Sequence, residues 1–136
     1  MDIKTKSLDE YLAEEDVDFD YTSEQVPYVM IKLPNLHSKW LRYLTFEKIS
    51  LINRENKLTK LYKDKYEHFR TNKDLLIDTK HIDYYILSDD EYVALSLQVD
   101  IRKKIISHLE EVIKRIKNMH YTLPKYIDWK RFELGN

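Results

Sequence analysis

The stretch SKWLRYLTFEKISLINRENKLTKLYKDKYEHFR, residues 38–70, contains neither glycine nor proline. Leu44, Leu51 and Leu58 recur in it every seven residues, and Leu41, Leu61, Tyr62 and Phe69 extend the same face. That pattern predicts one long helix from Ser38 to Arg70, about 50 Å long at the usual rise per residue. Most of a helix's stability in a protein comes from packing its apolar face, so a helix of that length needs a partner along it. The whole chain is poor in turn residues: its 136 residues include one Gly and three Pro. A charged fraction of 35% beside an apolar fraction of 43% suits long amphipathic helices.

The partner is legible further along. Ser88-Asp89-Asp90-Glu91 reads as a capping box opening a helix to about Met119. Within it Ile105, Leu109, Val112, Ile116 and Met119 step by four, three, four and three, a heptad seam. Two such helices predict an antiparallel αα-hairpin. Pro124 opens a short final helix, 124–134, carrying Tyr126, Ile127, Trp129 and Phe132, with Gly135 placed as a C′ glycine. At the other end Ser7-Leu8-Asp9-Glu10 is a capping box for a short helix to about Glu15. Asp16 to Asp20 reads as irregular, and Pro27 and Pro34 as marking loop or short extended structure. Between the long helices, Leu75-Leu76-Ile77 and Ile82 to Leu87 fit strand or helix equally. The expected class is all-α in a single domain: an acidic segment 1–37, long helices 38–70 and 88–119, and a C-terminal assembly helix. Short strands in 71–87 stay open.

Composition narrows the function classes. There is no Cys, so disulfides and thiolate metal sites are excluded. No apolar run is long enough for a membrane span, and no secretory signal is visible, so a cytoplasmic location is expected. The net charge of −1 conceals alternating blocks. Residues 1–28 carry two bases and nine acids, and residues 29–80 twelve bases and six acids. Residues 81–100 carry five acids and no base, and residues 101–136 nine bases and four acids. A uniformly basic coat protein for nucleic acid does not fit. A local basic surface does, and so does pairing of the blocks within or between subunits.

Residue constellations for chemistry are missing. A single glycine excludes a P-loop and a dinucleotide-binding turn. His37, His68, His81, His108 and His120 form no i, i+4 pair. Asp16, Asp18 and Asp20 mimic the start of a calcium loop, but Tyr21 replaces its glycine and Pro27 its final glutamate. No cofactor or metal is expected. What remains is a basic and aromatic stretch inside the first long helix: Lys57, Lys60, Lys63, Lys65 and Arg70 interleaved with Tyr62, Tyr66 and Phe69. Lysines neutralise phosphates and rings stack on unpaired bases. The same stripe also reads as core flanked by solvated lysines.

Several segments together resemble the UvsY family, the recombination mediators of T-even-like bacteriophages. They are Leu33-Pro34-Asn35-Leu36-His37-Ser38-Lys39-Trp40, Leu61-Tyr62-Lys63-Asp64-Lys65, Leu87-Ser88-Asp89-Asp90, and Ile116-Lys117-Asn118 with the tail Ile127 to Asn136. The tail, ending in Phe132-Glu133-Leu134-Gly135 plus one residue, is the most specific. Order and spacing agree from Leu33 onward. One departure stands out: where the family has Tyr-Tyr-x-Gly after the basic pair, this chain has His68-Phe69-Arg70-Thr71.

The resemblance implies a protein that is not an enzyme and binds single-stranded DNA without sequence preference. It implies a closed ring of six or seven subunits that weakens the hold of the phage single-strand-binding protein and helps load a RecA-like recombinase, in the cytoplasm of the infected host cell. The basic pair implicated in DNA binding falls on Lys63 and Lys65, with Lys60, Arg70, Tyr66 and Phe69 as assisting residues. Self-assembly falls on Leu109, Val112, Ile116, Met119, Ile127, Trp129 and Phe132. The rival readings are a helical structural or adaptor protein acting only through protein contacts, and a small nuclease with scattered carboxylates.

Overall fold

The computed structural model describes residues 5–72 and 78–135. Four helices follow one another: α1 (Leu8–Asp18), α2 (Val26–Thr71), α3 (Ile82–Leu87) and α4 (Asp90–Glu133). Short 3₁₀ turns at Ser23–Gln25 and Thr79–His81 lead into α2 and α3. There is no strand among the described residues, so the all-α class holds and the Ile82 to Leu87 segment is helical. Leu75-Leu76-Ile77 lies outside the described residues.

The chain divides into two compact units, residues 1–47 with 105–136 and residues 48–104. In the first unit α1 begins at the expected capping box: the Glu10 N–H donates to Ser7 Oγ at 3.2 Å. It runs on to Asp18, so Asp16 to Asp18 are helical instead of irregular. The reason is tertiary. Asp18 accepts the Trp40 indole N–H at 3.0 Å and the Lys39 ammonium, and Phe19 at the C-cap is buried. Tyr11 donates to Glu47 Oε1 at 2.8 Å. Contacts 11 to 47 and 18 to 40 set α1 antiparallel to α2. On its other side Glu15 Oε2 lies 2.6 Å from His108 Nε2, and Glu15 Oε1 lies 3.7 Å from Arg115.

The core of this unit is built from all three helices. Trp40 is fully buried and meets the rings of Tyr11, Phe19 and Tyr43. Val26, Val29, Leu33 and Leu44 join it from α2, and Ile105, Leu109, Val112, Ile116, Met119 and Leu123 from α4. This core explains two boundary errors of the sequence reading. Helix α2 begins at Val26, twelve residues before Ser38, and α4 runs through Pro124 to Glu133 without a break before a separate final helix. Pro27 lies in the first turn, where no N–H is required. Pro34 and Pro124 lie inside their helices, each removing one hydrogen bond and costing about 3 kcal/mol. Leu33 and Trp40, buried on either side of Pro34, and Met119 and Leu123, buried just before Pro124 with Tyr126 and Ile127 half-buried after it, hold the helices on. Helix α4 ends as expected at Gly135, whose φ of 76° lets its N–H donate to the Phe132 C=O at 3.0 Å.

One ionic contact of the first unit gives a pH test. Lys6 donates to Glu14 Oε1 at 2.9 Å and to the Tyr43 hydroxyl at 3.0 Å. Partial burial raises the Glu14 carboxyl pKa, but hydrogen bonds from Tyr43 and Lys6 and the charges of Lys39 and Lys6 outweigh it, and the net shift is downward. A carboxyl lowered by folding adds stability above its unfolded value, and that stability is lost as pH falls through the folded value. Urea midpoints measured from pH 6 downward should therefore fall less steeply for Glu14→Gln than for the wild type. Parallel curves would remove Glu14 from the acid response.

In the second unit Glu55 faces Lys103 at 3.8 Å, while Lys65 faces Glu91 at 3.0 Å and Asp89 at 3.4 Å. As α2 ascends from 55 to 65, α4 descends from 103 to 89, so the two run antiparallel here. Ile82 and Ile86 of α3 and Val99 of α4 are buried, with Leu51, Leu58 and Leu61 half-buried on α2, while Leu41, in the first unit, is 43% exposed. The α4 cap differs from the expected one. Ser88 closes α3, its N–H donating to the Tyr84 C=O, and Asp89 caps α4 by accepting the Tyr92 N–H at 3.0 Å. Helix α2 ends without a glycine: the Asn72 N–H donates to the His68 C=O, and the Thr71 hydroxyl donates to the Glu67 C=O at 2.7 Å.

Candidate nucleic-acid interface

Helical geometry sorts the basic stretch of α2 into two sets. At about 100° per residue, Lys57, Lys60, Lys63 and Arg70 fall within one broad face. That face is turned away from Leu51, Leu58 and Tyr62, which point toward the core of the second unit. All four bases are exposed. Lys57, Lys60 and Lys63 have no ion-pair partner among the described residues. Among the described residues Arg70 pairs with Glu67 one turn away, at 3.2 Å between exposed side chains, a contact worth little in water. Lys57 and Lys60 also border a groove of about 570 Å³ shared with Leu61, Asp64, Glu91, Ala94, Leu95 and Gln98.

Lys65 belongs to the other set. Two residues past Lys63, it is rotated by about 200° and comes onto the Leu58 and Tyr62 side. There it is held between Glu91 and Asp89 at the start of α4. The Glu91 hydrogen bond, then the Asp89 contacts, raise the Lys65 pKa, and the Tyr92 N–H followed by Lys65 lowers that of Asp89. The structure therefore does not bring Lys63 and Lys65 together as a pair on one face.

The rings on this stripe also turn inward. Tyr62 stacks on Tyr66 at 6.5 Å and meets the edge of Tyr92 at 6.1 Å, and its hydroxyl donates to Asp83. That bond raises the Tyr62 pKa. Phe69 lies 5.9 Å from Tyr85. Tyr66 and Phe69 are half-buried, and their faces are engaged by protein rings instead of standing free for bases. Exposed rings do occur nearby at Tyr84 and Tyr85 on α3. The sequence places Asp89 and Glu91 only in the capping box of the second long helix and does not single out Asp83, Tyr85 or Tyr92. The available signal was the rotation of Lys65 and the tyrosine stripe toward the leucine side.

The residues expected to serve assembly divide likewise. Leu109, Val112, Ile116 and Met119 are buried inside the first unit and offer no surface to a second copy. A heptad seam reads alike whether its partner lies in the same chain or another. Ile127 is half-buried, while Trp129 and Phe132 are exposed, Phe132 to 80%. Among the described residues no group of three or more His, Asp or Glu side chains is placed to hold a metal ion. No described helix is long and apolar enough to cross a membrane.

A solvated lysine ridge on a long helix suits the binding of phosphates. Residues 12–136 match the family described as "Recombination, repair and ssDNA binding protein UvsY". The chain belongs to the UvsY family. Its fold is similar to that of the bacteriophage T4 recombination mediator protein UvsY in its crystal structure. The TM-score is 0.83 at 15% sequence identity, covering 94% of this chain and 99% of that one. No curated protein matches the sequence. UvsY membership gives this chain a role in DNA recombination, and the resemblance carried by the Leu33 to Trp40 segment and the tail identified the right family. In this UvsY-family chain the Trp40 position is the centre of the first core, and the tail is the end of α4.

Proposed function

We propose that this chain is a recombination mediator that captures single-stranded DNA on the outward face of α2, through Lys57, Lys60, Lys63 and Arg70. The observation that carries the reading is the row of lysines at three-residue spacing, free of ion pairs among the described residues, on a member of the UvsY family. Contacts of this kind neutralise phosphates, which carry no sequence information, so binding is non-specific and strongly salt-dependent. Lys65 contributes less than Lys63, because a phosphate must first displace Glu91 and Asp89. The partners are single-stranded DNA, a RecA-like recombinase and a single-strand-binding protein whose hold is weakened when the strand is bent onto the protein. The chain is not an enzyme. It acts as a homo-oligomeric ring of six or seven subunits, which multiplies one modest patch several-fold. The exposed Trp129 and Phe132 with Ile127 supply apolar surface for that assembly.

Fluorescence anisotropy with an unstructured labelled oligonucleotide across a salt series tests this. Lys63→Ala with Lys65→Ala should weaken binding and flatten the salt dependence while light scattering reports an unchanged mass. Of the single variants, Lys63→Ala should account for most of the loss. An unchanged affinity removes these residues from the interface. No binding by the wild type at low salt removes DNA from the function and leaves an adaptor acting through protein contacts.

A further inference from the structure

Lys65 is the lysine of the 57–65 stretch that the structure holds in an ion pair, and its two partners are unequal. Asp89 is largely covered, with 19% of its side chain exposed, and it also caps α4 through the Tyr92 N–H. Glu91 has 67% of its side chain exposed, lies 3.0 Å from the Lys65 ammonium, and borders the same groove as Lys57 and Lys60. Among the described residues Lys65 is its ion-pair partner. A carboxylate oxygen at this distance occupies the place a phosphate oxygen would take on the same ammonium.

We propose that Glu91 is a built-in competitor of phosphate for Lys65, which lowers the affinity of this chain for single-stranded DNA and flattens its salt dependence. The inference rests on the DNA-binding reading above and adds a residue of α4 to it. A strand that reaches Lys65 exchanges one anion for another. The phosphate sheds condensed counterions, about 0.7 in the slope of log affinity against log salt for each single-strand contact. The displaced Glu91, left beside Asp89, takes up a cation in return, so the exchange releases few ions. Until it moves, its negative charge also repels the strand bordering Lys57 and Lys60. The result is a contact that is easily made and easily broken, which suits a protein that passes DNA on.

The test compares the full-length wild type, Glu91→Gln, Lys65→Ala and the double variant, by anisotropy with a labelled oligonucleotide at several salt concentrations. Glutamine keeps the length of the side chain and leaves the Asp89 cap intact. Glu91→Gln should bind about three- to tenfold more tightly at low salt. Its salt slope should steepen by up to about 0.7. Most of that gain should vanish when Lys65→Ala is added. Identical affinity and slope for Glu91→Gln and wild type would overturn the inference, as would a gain that persists in full without Lys65. Lys63→Ala separates the two levels. If it weakens binding while Glu91→Gln changes nothing, the DNA-binding reading stands and the role of Glu91 falls. If the wild type does not bind, both fall.

Discussion

A Trp40→Ala protein is expected to unfold at a much lower urea concentration than the wild type, having lost about 3–5 kcal/mol. Trp40 is fully buried and central to the aromatic cluster of Tyr11, Phe19 and Tyr43. Truncation removes the largest side chain of the core and leaves a cavity where α1 meets α2. It also removes the indole N–H from Asp18, leaving that partly covered carboxylate with Lys39. At about 1–3 kcal/mol per molar urea, the midpoint should fall by more than 1 M, a large share of the stability of a domain this size. Trp40→Phe separates the two contributions: it keeps an aromatic ring in place, loses the hydrogen bond, and should cost markedly less. A wild-type midpoint for Trp40→Ala would show that this cluster does not hold the first unit together.

The second large effect is on binding. Lys60→Glu with Lys63→Glu reverses two adjacent charges on the outward face of α2 and should reduce affinity for single-stranded DNA at about 0.1 M salt by about 10²-fold. Each lost phosphate contact costs roughly threefold under those conditions, and each introduced carboxylate repels the strand by a comparable factor. Both side chains are exposed and lack ion-pair partners among the described residues, so helix content and thermal midpoint should stay near wild type. Circular dichroism beside anisotropy makes that comparison. A loss of less than threefold would move the DNA path off α2. The same reversal made at Lys57 and Arg70 measures how far along the helix the path extends.

Much of the fold was legible because helical periodicity is a local property. The leucines at 44, 51 and 58 announced α2, the run from Ile105 to Met119 announced α4, and Ser7 with Glu10 placed the start of α1. Ends were less legible where a tertiary contact overrode a local rule. Pro34 and Pro124 each argue for a boundary, yet each sits inside a helix: Pro34 lies between buried Leu33 and Trp40, and Pro124 follows buried Met119 and Leu123. The acidic run from Asp16 to Asp20 suggested an irregular segment, yet Asp18 serves Trp40 and Lys39 and Phe19 fills the core. At the start of α4 two adjacent residues both suit a cap, and the Lys65 partnership, together with the closing of α3 by Ser88, selects Asp89.

The candidate site follows the same division. The sequence by itself determined that the chain is helical, that it has no cysteine and a single glycine and so no thiolate site or glycine-rich phosphate loop, that its basic charge gathers toward the end of the first long helix, and that its tail resembles the UvsY family. Composition and spacing suffice for these because they depend on which residues are present and how far apart they stand. Which lysines meet solvent, which rings are engaged, and whether the heptad seam packs within its own chain were decided by tertiary structure. Lys63 and Lys65 stand two residues apart in sequence and point to nearly opposite sides of α2. Only the packing of α4 against that helix shows that Lys63 meets water while Lys65 meets Glu91.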